Sequence, residues 1–326
     1  MYNSKILITG ATGLVGSAIV KRLLKQGDSK VIALVRNAEK AEKVFSNYKT
    51  DNLEIMISDI CDLKPKAIGV DYIVHAASQT SSKAFVNNPV ETINTAINGT
   101  TAILEFARIN PVKSFVYLSS MEIYGSPVID EKIYENHSTN LDTMSVRSCY
   151  PESKRMCENI CASYFSEYDI PVKIVRLTQT FGAGVAYNDG RVFAEFARCA
   201  IEGRDIVLKT KGKTKRNYLY LEDAVDAVLT VLLKGENGNA YNAANEDTYC
   251  SIYEMAKLVA EKCSNKKISV IIEENNDIAK FGYAPTLKMN LSTEKIRGLG
   301  WNAKVGLSDM FKIMIRDMKQ NFCKSE

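Results

Sequence analysis

The amino-acid sequence predicts an α/β protein, built on a doubly wound parallel sheet with a second, smaller α/β domain. Three observations lead to this fold class. Short apolar segments alternate with segments of helical spacing through the first half of the 326 residues. The first apolar segment runs directly into a glycine-rich turn. After Gly182 the pattern changes to helical segments between short strands, which indicates a second region.

The predicted elements follow in this order. Strands are predicted near residues 5–9, 30–35, 53–57, 71–75, 113–118 and 172–177, with helices near 14–26, 88–108 and 148–167 between them. Further helices are predicted near 191–202, 222–234, 251–262 and 307–320. We therefore expect residues 1–178 to form a Rossmann domain and residues 179–326 to form mainly a substrate-binding domain, with 205–245 returning to the first sheet. The polar loop 126–147 is expected to act as a mobile flap.

A glycine-rich turn follows the first strand and opens the first helix. It spans residues 9–16, between the apolar run 5–8 and a helix that begins near residue 14. A dinucleotide fingerprint requires this strand–turn–helix context, because glycines permit a tight turn and a close backbone approach. The pyrophosphate then binds at the free N–H groups of the helix N-terminus. The residues expected to bind NADP or NAD here are Gly10, Thr12, Gly13, Leu14, Val15 and Gly16.

Tyr150 and Lys154 lie four residues apart in a run of helix-forming residues, which places them on one face of a helix. Pro151 suits the first turn of that helix. A phenol titrates near pH ~10, and we expect a nearby ammonium and a positive nicotinamide ring to lower that pKa. Tyr150 can then take a proton from a substrate hydroxyl while hydride leaves the carbon. Ser120 ends the apolar strand near 113–118 and is expected to hydrogen-bond the reacting oxygen.

At these residues the chain resembles the extended short-chain dehydrogenase/reductases of the NAD-dependent epimerase/dehydratase family, which act on nucleotide sugars. The resemblance extends over essentially the whole chain. The segments that carry it are 9–16, 59–60, 75–78, 98–100, 119–125, 150–154, 176–182, 189–192 and 216–223. It implies a UDP-, CDP-, GDP- or dTDP-linked sugar as the substrate. The further cofactor contacts that it implies are Arg36, Asn37, Asp59, Ile60, Ala76, Ala77 and Ser78.

Within that family the chain looks most like the UDP-glucuronate decarboxylases. Residues 147–155, the run 188–192 and Glu122 carry this likeness. In that subfamily the glutamate two residues after the catalytic serine or threonine supports decarboxylation. Sugar 4,6-dehydratases instead use an Asp-Glu pair at these places, and here Met121 occupies the aspartate place and has no proton to donate. The resemblance therefore argues against dehydration. A helix-capping or solvated acid is the other interpretation of Glu122.

Two positions depart from the family pattern. NAD-specific relatives carry an acid at the end of the second strand, where it bonds the ribose 2′-OH, but this chain carries Arg36. A guanidinium suits a 2′-phosphate, so Arg36 favours NADP, and freely exchanging NADPH would indicate a reductase. A surface arginine beside an NAD site is the other interpretation. The second departure is Gln179, which replaces a substrate-side asparagine and indicates an unusual sugar or an unusual placement of it.

The resemblance also assigns substrate contacts. The expected substrate-binding residues are Ser120, Met121, Gln179, Arg191, Val192 and Arg216. Arginine forks match phosphate oxygens bidentately, so Arg191 and Arg216 are expected to hold the nucleotide diphosphate. The lysine-rich run 209–215 lacks the aromatic platform that single-stranded nucleic acid stacks on, which argues against nucleic acid as the partner.

Composition argues against several other classes. The net charge of +4 is mild and demands no polyanionic partner. The eight cysteines form no Cys-x-x-Cys pair, and Cys157 and Cys161 are expected to face the core. Only two histidines occur, His75 and His137, which argues against a zinc site. We find no signal peptide and no apolar stretch long enough to span a bilayer, so we expect a cytoplasmic protein without a membrane partner.

The sequence thus predicts an NAD(P)-dependent enzyme that remodels a nucleotide-linked sugar for surface-polysaccharide precursor synthesis. It is expected to begin with hydride transfer at a carbinol, C4, with Tyr150, Lys154, Ser120 and Glu122 as the catalytic residues. An epimerase, a UDP-glucuronate decarboxylase and an NADPH-dependent reductase of a keto-sugar nucleotide all fit this site. A non-catalytic NADP-binding regulator is the rival from another class. Helices near 88–108 and 148–167 are expected to form a homodimer, although packing on their own sheet requires the same apolar faces.

Overall fold

Seven parallel strands form the central sheet of the computed structural model, which describes residues 3–48, 50–138, 140–265, 267–274 and 286–322. The strands are β1 (Ser4–Thr9), β2 (Ser29–Val35), β3 (Leu53–Ile57), β4 (Tyr72–His75), β5 (Ser114–Ser120), β7 (Val172–Leu177) and β11 (Ala240–Ala243). They lie in the order β11-β7-β5-β4-β1-β2-β3. The strand order reverses between β1 and β4, which creates the switch point where doubly wound sheets bind ligands. The predicted fold class is confirmed.

Helices cover both faces of this sheet. Those from this half of the chain are α1 (Leu14–Gln26), α2 (Ala38–Phe45), α3 (Ser82–Asn87), α4 (Pro89–Ile109) and α5 (Cys149–Tyr168). In β1, Ile6 and Ile8 face the core under α1, whereas Leu7 faces the core under α4 and α5. Cys157 and Cys161 are fully buried in that second core, as the sequence predicts. Burial on both faces explains why the central strands of this sheet are mostly apolar.

Two short helices of the first half, α2 and α3, were not predicted from the sequence. They span eight and six residues and bury only Ala41 and Phe45 in one case and Phe85 in the other. So few buried positions give almost no periodic signal. The strands and longer helices of the first half lie within two residues of their predicted limits.

A second sheet and a separate core form the substrate-side half. Its strands are β6 (Lys132–Ile133), β8 (Gln179–Phe181), β10 (Lys215–Tyr220), β12 (Asn245–Ser251) and β14 (Lys288–Leu291), and β9 (Ile206–Leu208) pairs separately with β13 (Val270–Ile272). The helices α6 (Val192–Glu202), α8 (Ile252–Lys262) and α10 (Leu307–Phe322) enclose an aromatic core in which the Phe181 ring contacts those of Phe193 and Phe311. The short helix α9 (Glu294–Arg297) packs against β11.

The chain passes between the two halves more than once. It leaves the first sheet after Leu177 and enters the second sheet at Gln179. It then returns with α7 (Leu221–Lys234), which packs beside α1, and with β11, which pairs in parallel with β7. The expected division at 178/179 stays a prediction, and the return of residues within 205–245 is visible as these two elements.

Polar links fasten the first part of the loop 126–147. Asp130 accepts a hydrogen bond from the Tyr249 hydroxyl at 2.6 Å, and Lys132 forms an ion pair with Glu246. The strand β6 also pairs with β14. These links hold residues 130–133 against the second sheet, and the mobile flap stays a prediction.

Candidate active site

The carboxyl ends of β1, β4 and β5 open into one cleft of about 500 Å³. The N-terminus of α1, the first turns of α5 and the start of β8 complete its walls. Most of the predicted site residues line this cleft. They are Gly10, Thr12, Gly13, Leu14, Val15, Gly16, Arg36, Asp59, Ile60, Ala76, Ala77, Ser78, Ser120, Met121, Glu122, Tyr150, Lys154, Gln179 and Arg191.

The glycine turn has no room for side chains. Gly10 has a φ of +62°, and a Cβ on it would lie 2.6 Å from the carbonyl oxygen of Ala76. A Cβ on Gly16 would collide with the carbonyl of Gly10. Gly13 is the N-cap of α1 and supplies no capping side chain, so the N–H groups of the first turn are free for an anion. This geometry fits the pyrophosphate of a dinucleotide.

A buried histidine ties the glycine turn to the next cofactor loop. Nδ1 of His75 lies 2.7 Å from the Thr9 hydroxyl, which also accepts the N–H of Ala77 at 3.1 Å. Nε2 of His75 lies 3.2 Å from the Thr100 hydroxyl. Burial lowers the pKa of His75 to about 3, with the Lys154 charge acting in the same direction, so the ring is neutral. His75 therefore holds the loop in place and does not exchange protons.

Tyr150, Lys154 and Ser120 meet at the centre of the cleft, where a hydrogen bond joins Tyr150 and Ser120. The ammonium of Lys154 lies 5.9 Å from the centre of the Tyr150 ring and donates to the Leu118 carbonyl at 2.7 Å. Burial lowers the pKa of Lys154 to about 8. The set is built from the end of β5 and the first two turns of α5, in the order that the sequence predicts.

One expectation about Tyr150 is wrong in this structure. We expected the Lys154 ammonium to lower the pKa of the phenol. Instead burial raises the pKa of Tyr150, and the charge of Glu122 adds to the effect. The hydrogen bond with Ser120 and the charge of Arg147 act in the opposite direction but are weaker. Burial dominates because the ring is almost fully enclosed, so the phenolate loses its hydration.

The carboxylate of Glu158 joins α5 to the strands β5 and β7. It accepts the Ser119 hydroxyl at 2.5 Å and two hydrogen bonds from Arg176, at 2.7 and 3.1 Å. Arg176 also donates to the Tyr124 hydroxyl at 2.8 Å and to the Glu135 carbonyl at 2.7 Å. Glu158 lies one turn after Lys154, so the network holds both the strand that ends in Ser120 and the helix that carries Lys154.

Glu122 lies at the edge of the cleft and is not a free acid. Both of its carboxylate oxygens bind Arg147, at 2.8 and 3.2 Å. The neighbouring Met121 is buried, and its sulfur accepts the Thr178 hydroxyl at 3.2 Å. Met121 therefore fills the wall of the cleft with an apolar side chain beside the ion-paired glutamate.

Arg36 lines the cleft directly after the end of β2. Its guanidinium is 73 % exposed and lies 3.8 Å from the Asp59 carboxylate. Asp59 itself caps the turn that follows, through the N–H of Cys61 at 2.9 Å. Asn37, expected as a cofactor contact, does not line the cleft, because its side chain caps α2 through the N–H of Lys40. Lys40 lines the cleft beside Arg36.

The expected substrate residues do not all reach the cleft. Arg191 lines it and is oriented by a two-oxygen pairing with Asp189, with hydrogen bonds of 2.6 to 3.2 Å. Val192 begins α6 and packs against the second core instead. Arg216 on β10 lies outside the cleft lining, and its Nε is buried without a hydrogen-bond partner among the described residues.

Several residues of the cleft were missed by sequence reasoning. They are Leu34, Val35, Lys40, Ser58, Gln79, Thr80, Ser82, Phe85, Glu91, Thr95, Leu118, Ser119, Leu177, Thr178 and Thr180. Ser58 and Thr178 directly follow strand ends, which is a signal that the sequence offered. Phe85 had no such signal, since its position depends on how α3 packs against α5.

A Rossmann sheet with a glycine turn at its switch point, and a serine, tyrosine and lysine set beside it, defines a protein of the short-chain dehydrogenase/reductase type. The chain belongs to the NAD dependent epimerase/dehydratase family, whose sequence profile matches residues 6–244. The family assignment confirms the predicted resemblance and the prediction of an enzyme of the nucleotide-sugar epimerase/dehydratase class.

The similarity to known proteins extends over nearly the whole chain. UDP-glucuronic acid decarboxylase 4 of Arabidopsis thaliana is 29 % identical over 317 residues, which are 97 % of this chain and 69 % of that protein. The X-ray structure of Pal from Bacillus thuringiensis is 26 % identical, with a TM-score of 0.81, over 97 % of this chain and 99 % of that one. UDP-glucuronic acid 4-epimerase from Bacillus cereus, in complex with NAD, is 21 % identical with a TM-score of 0.81 over 98 % and 99 %. This last likeness establishes the fold alone.

Two further findings concern the described part of the chain. No helix in it is long and apolar enough to cross a membrane. Within the same residues, no group of three or more histidine, cysteine, aspartate or glutamate side chains is arranged to hold a metal ion.

Proposed function

We propose that this enzyme uses a nicotinamide dinucleotide to oxidise a hydroxyl, at C4, of a nucleotide-diphosphate sugar. The observation that carries the proposal is that Ser120, Tyr150 and Lys154 line the same cleft as the glycine turn. A cofactor on the turn and a sugar beside Tyr150 would therefore share one enclosed space. When bound, the oxidised cofactor accepts hydride and supplies a positive charge next to the phenol.

Ser120, Tyr150 and Lys154 have separate roles in proton transfer. Ser120 hydrogen-bonds the reacting oxygen and positions it near the Tyr150 hydroxyl, with which it is already hydrogen-bonded. Tyr150 takes the hydroxyl proton during oxidation and returns it during reduction. Lys154, fixed by the Leu118 carbonyl, holds positive charge near the ring. The raised pKa of Tyr150 makes added positive charge necessary for the phenolate to form.

A second candidate is the decarboxylation of a UDP-linked glucuronic acid, which Glu122 favours. Oxidation at C4 converts such a sugar into a β-keto acid, which loses its carboxylate as CO₂ and is then protonated at C5 and reduced at C4. Glu122 at the cleft edge and the absence of an acid at Met121 fit this sequence better than dehydration. The decarboxylases named among the relatives support the same substrate.

Cofactor choice is a separate proposal. Arg36 and Lys40 line the end of the cleft where an adenosine ribose would lie, and they suit a 2′-phosphate. This favours NADP over NAD. If NADPH exchanges freely, the enzyme is a reductase of a keto-sugar nucleotide rather than an epimerase or decarboxylase.

The remaining expectations stand as proposals. We expect Arg191, which Asp189 orients, to bind the diphosphate of the substrate, and Arg216 to be a second cation from the substrate-side half. A homodimer through α4 and α5 is supported by the exposed Val90 and Met156 on these helices. The free thiols of the described cysteines suit a reducing cytoplasm, where surface-polysaccharide precursors would be made.

The first test is to denature the purified protein and identify the released nucleotide by mass spectrometry. Stoichiometric NAD indicates a cofactor recycled within each turnover, hence an epimerase or decarboxylase. An empty protein that then binds NADPH ahead of NADH indicates a reductase. Incubation with UDP-glucuronate and a panel of other nucleotide sugars follows, with Tyr150→Phe as the control. We expect this variant to lose turnover by at least ~10²-fold and to keep cofactor binding; unchanged turnover would remove Tyr150 from the mechanism.

A further inference from the structure

Arg147 binds the carboxylate of Glu122 through two guanidinium nitrogens. Its Nη1 lies 2.8 Å from one carboxylate oxygen and its Nη2 lies 3.2 Å from the other. The two side chains are 26 % and 24 % exposed, so the pair is screened from water on most sides. Paired N–H groups on both oxygens fix the plane of the carboxylate as well as its position.

The same guanidinium belongs to a stack that ends on Tyr150. Arg147 lies 5.7 Å from the centre of the Phe85 ring. The Phe85 ring in turn stacks on Tyr150, with centres 4.3 Å apart and planes 12° from parallel. Cys149 fastens this arrangement by donating to the Phe85 carbonyl. Arg147 therefore contacts both the acid at the edge of the cleft and the ring that supports the catalytic tyrosine.

The charges around Tyr150 show why the position of Arg147 matters. Glu122 faces it from the turn after β5, Arg147 from the turn before α5, and Lys154 and the Cys149 thiol from α5 itself. From β5, Ser120 supplies a hydrogen bond and Tyr117 presents a second buried phenol, while Phe85 of α3 stacks on the ring. Glu122 raises the pKa of Tyr150 and Arg147 lowers it, although burial is the larger effect.

We propose that Arg147 is a positioning residue of the active site, which orients the Glu122 carboxylate and cancels the negative charge that Glu122 presents to Tyr150. This inference rests on the proposed function only in taking Tyr150 as the group that exchanges the proton. A merely structural arginine, one that ties the segment before α5 to the first sheet, would affect folding and not the titration of Tyr150.

Four variants separate these roles. Arg147→Met leaves Glu122 uncompensated, so the pH at which kcat/KM rises should move up by about one unit and kcat should fall. Arg147→Lys keeps the positive charge but loses the paired N–H donors that orient the Glu122 carboxylate. The pH profile should therefore stay near that of the wild type while kcat falls. In Arg147→Met combined with Glu122→Gln the pH shift should disappear, because no carboxylate remains to be neutralised. Glu122→Gln alone completes the cycle.

Arg108→Met is the matched control. Arg108 also binds a glutamate, Glu105, through both carboxylate oxygens, but it lies on the outer surface of α4. This variant should keep the wild-type pH profile and kcat. Circular dichroism checks that each Arg147 variant folds, and Arg147→Lys remains informative should the methionine variant fail to fold. Identical pH profiles for wild type and Arg147→Met would overturn the proposal.

A readout that needs no sugar keeps this inference separate from the proposed reaction. The protein is labelled with 3-fluorotyrosine, loaded with NAD⁺ and titrated by ¹⁹F NMR, and Tyr150→Phe identifies the Tyr150 signal. We expect the Tyr150 midpoint to lie about one pH unit higher in Arg147→Met than in the wild type. A shifted midpoint without turnover of any nucleotide sugar would sink the proposed function and leave the role of Arg147 standing. Coincident midpoints would refute that role whatever the substrate.

Discussion

Replacing Lys154 should stabilise the fold while it abolishes activity. Lys154 is buried at the centre of the cleft, and burial lowers its pKa to about 8, compared with 10.5 in the unfolded chain. The folded protein therefore holds this ammonium at a cost. Lys154→Met keeps the length and the apolar stem of the side chain but removes the charge, so the cost disappears.

The size of the effect follows from the shift in pKa. Each pKa unit corresponds to ~1.4 kcal/mol, so the charge costs about 3 kcal/mol at pH 7. The variant loses the hydrogen bond to the Leu118 carbonyl, which offsets about 1 kcal/mol. We therefore expect the free energy of unfolding to rise by about 2 kcal/mol at pH 7. Between pH 8 and 10.5 the unfolded chain holds more protons at this site, so the wild type gains stability with rising pH and the difference shrinks by roughly 2 kcal/mol at pH 10.

Lys173 provides a matched control in the same sheet. It is buried in β7, donates to the Ser114 hydroxyl at 2.6 Å, and burial lowers its pKa to about 8 as well. Lys173→Met should give a similar stabilisation with the same dependence on pH, yet leave turnover unchanged because Lys173 does not line the cleft.

The assay is urea unfolding followed by circular dichroism at pH 7, 8.5 and 10, without added cofactor, beside turnover measurements on the same samples. If Lys154→Met unfolds at lower urea than the wild type at pH 7, the ammonium is stabilising and the electrostatic reasoning is refuted. The same conclusion follows if the stability difference stays constant between pH 7 and pH 10.

Three further predictions test the rest of the site. Gly10→Ala should weaken dinucleotide binding at least tenfold in a calorimetric titration, because Gly10 has a φ of +62° and a Cβ there would meet the backbone of Ala76. Gly27→Ala is the control, since Gly27 has a φ of +74° but nothing within 4 Å of its Cβ position, and it should leave binding intact. Equal losses of affinity in the two variants would contradict the role of the glycine turn. Arg36→Ala should reduce affinity for NADPH more than for NADH, and a uniform loss would indicate a surface arginine. Glu158→Gln should lower kcat by at least ~10-fold with little change in KM, since it loosens Arg176 and the end of β5; an altered KM alone would place Glu158 elsewhere in the mechanism.

Much of the fold could be read from local pattern. The central strands of the first half are buried on both faces, and the longer helices bury enough positions to show a clear period. The limits of these elements therefore lie within two residues of prediction. The short α2 and α3 bury too little to leave such a signal. Residues attached to strand ends, such as Ser120, were also found correctly in the cleft, because the ends of parallel strands lie together.

The expected site residues that do not line the cleft, and the pKa of Tyr150, share a feature: they depend on neighbours distant in the chain. Asn37 was expected to contact the cofactor, but its side chain serves the next helix instead. Val192 and Arg216 were placed by resemblance and lie outside the cleft lining, because the orientation of α6 and β10 decides where their side chains go. The direction of the pKa shift of Tyr150 was predicted wrongly, because the effect of charged neighbours on this pKa is smaller than the effect of burial.

The sequence by itself determined the order of elements, the glycine turn and the presence of Tyr150 and Lys154 on one helical face. These features depend on residues within a few positions of one another, and steric and periodic rules act at that range. Only the tertiary structure decided that Glu122 pairs with Arg147, twenty-five residues away, and that Phe85 stacks on the Tyr150 ring. Burial and electrostatic pairing arise from how separate segments pack, so the ionisation of this active site is a property of the folded protein and not of its motifs.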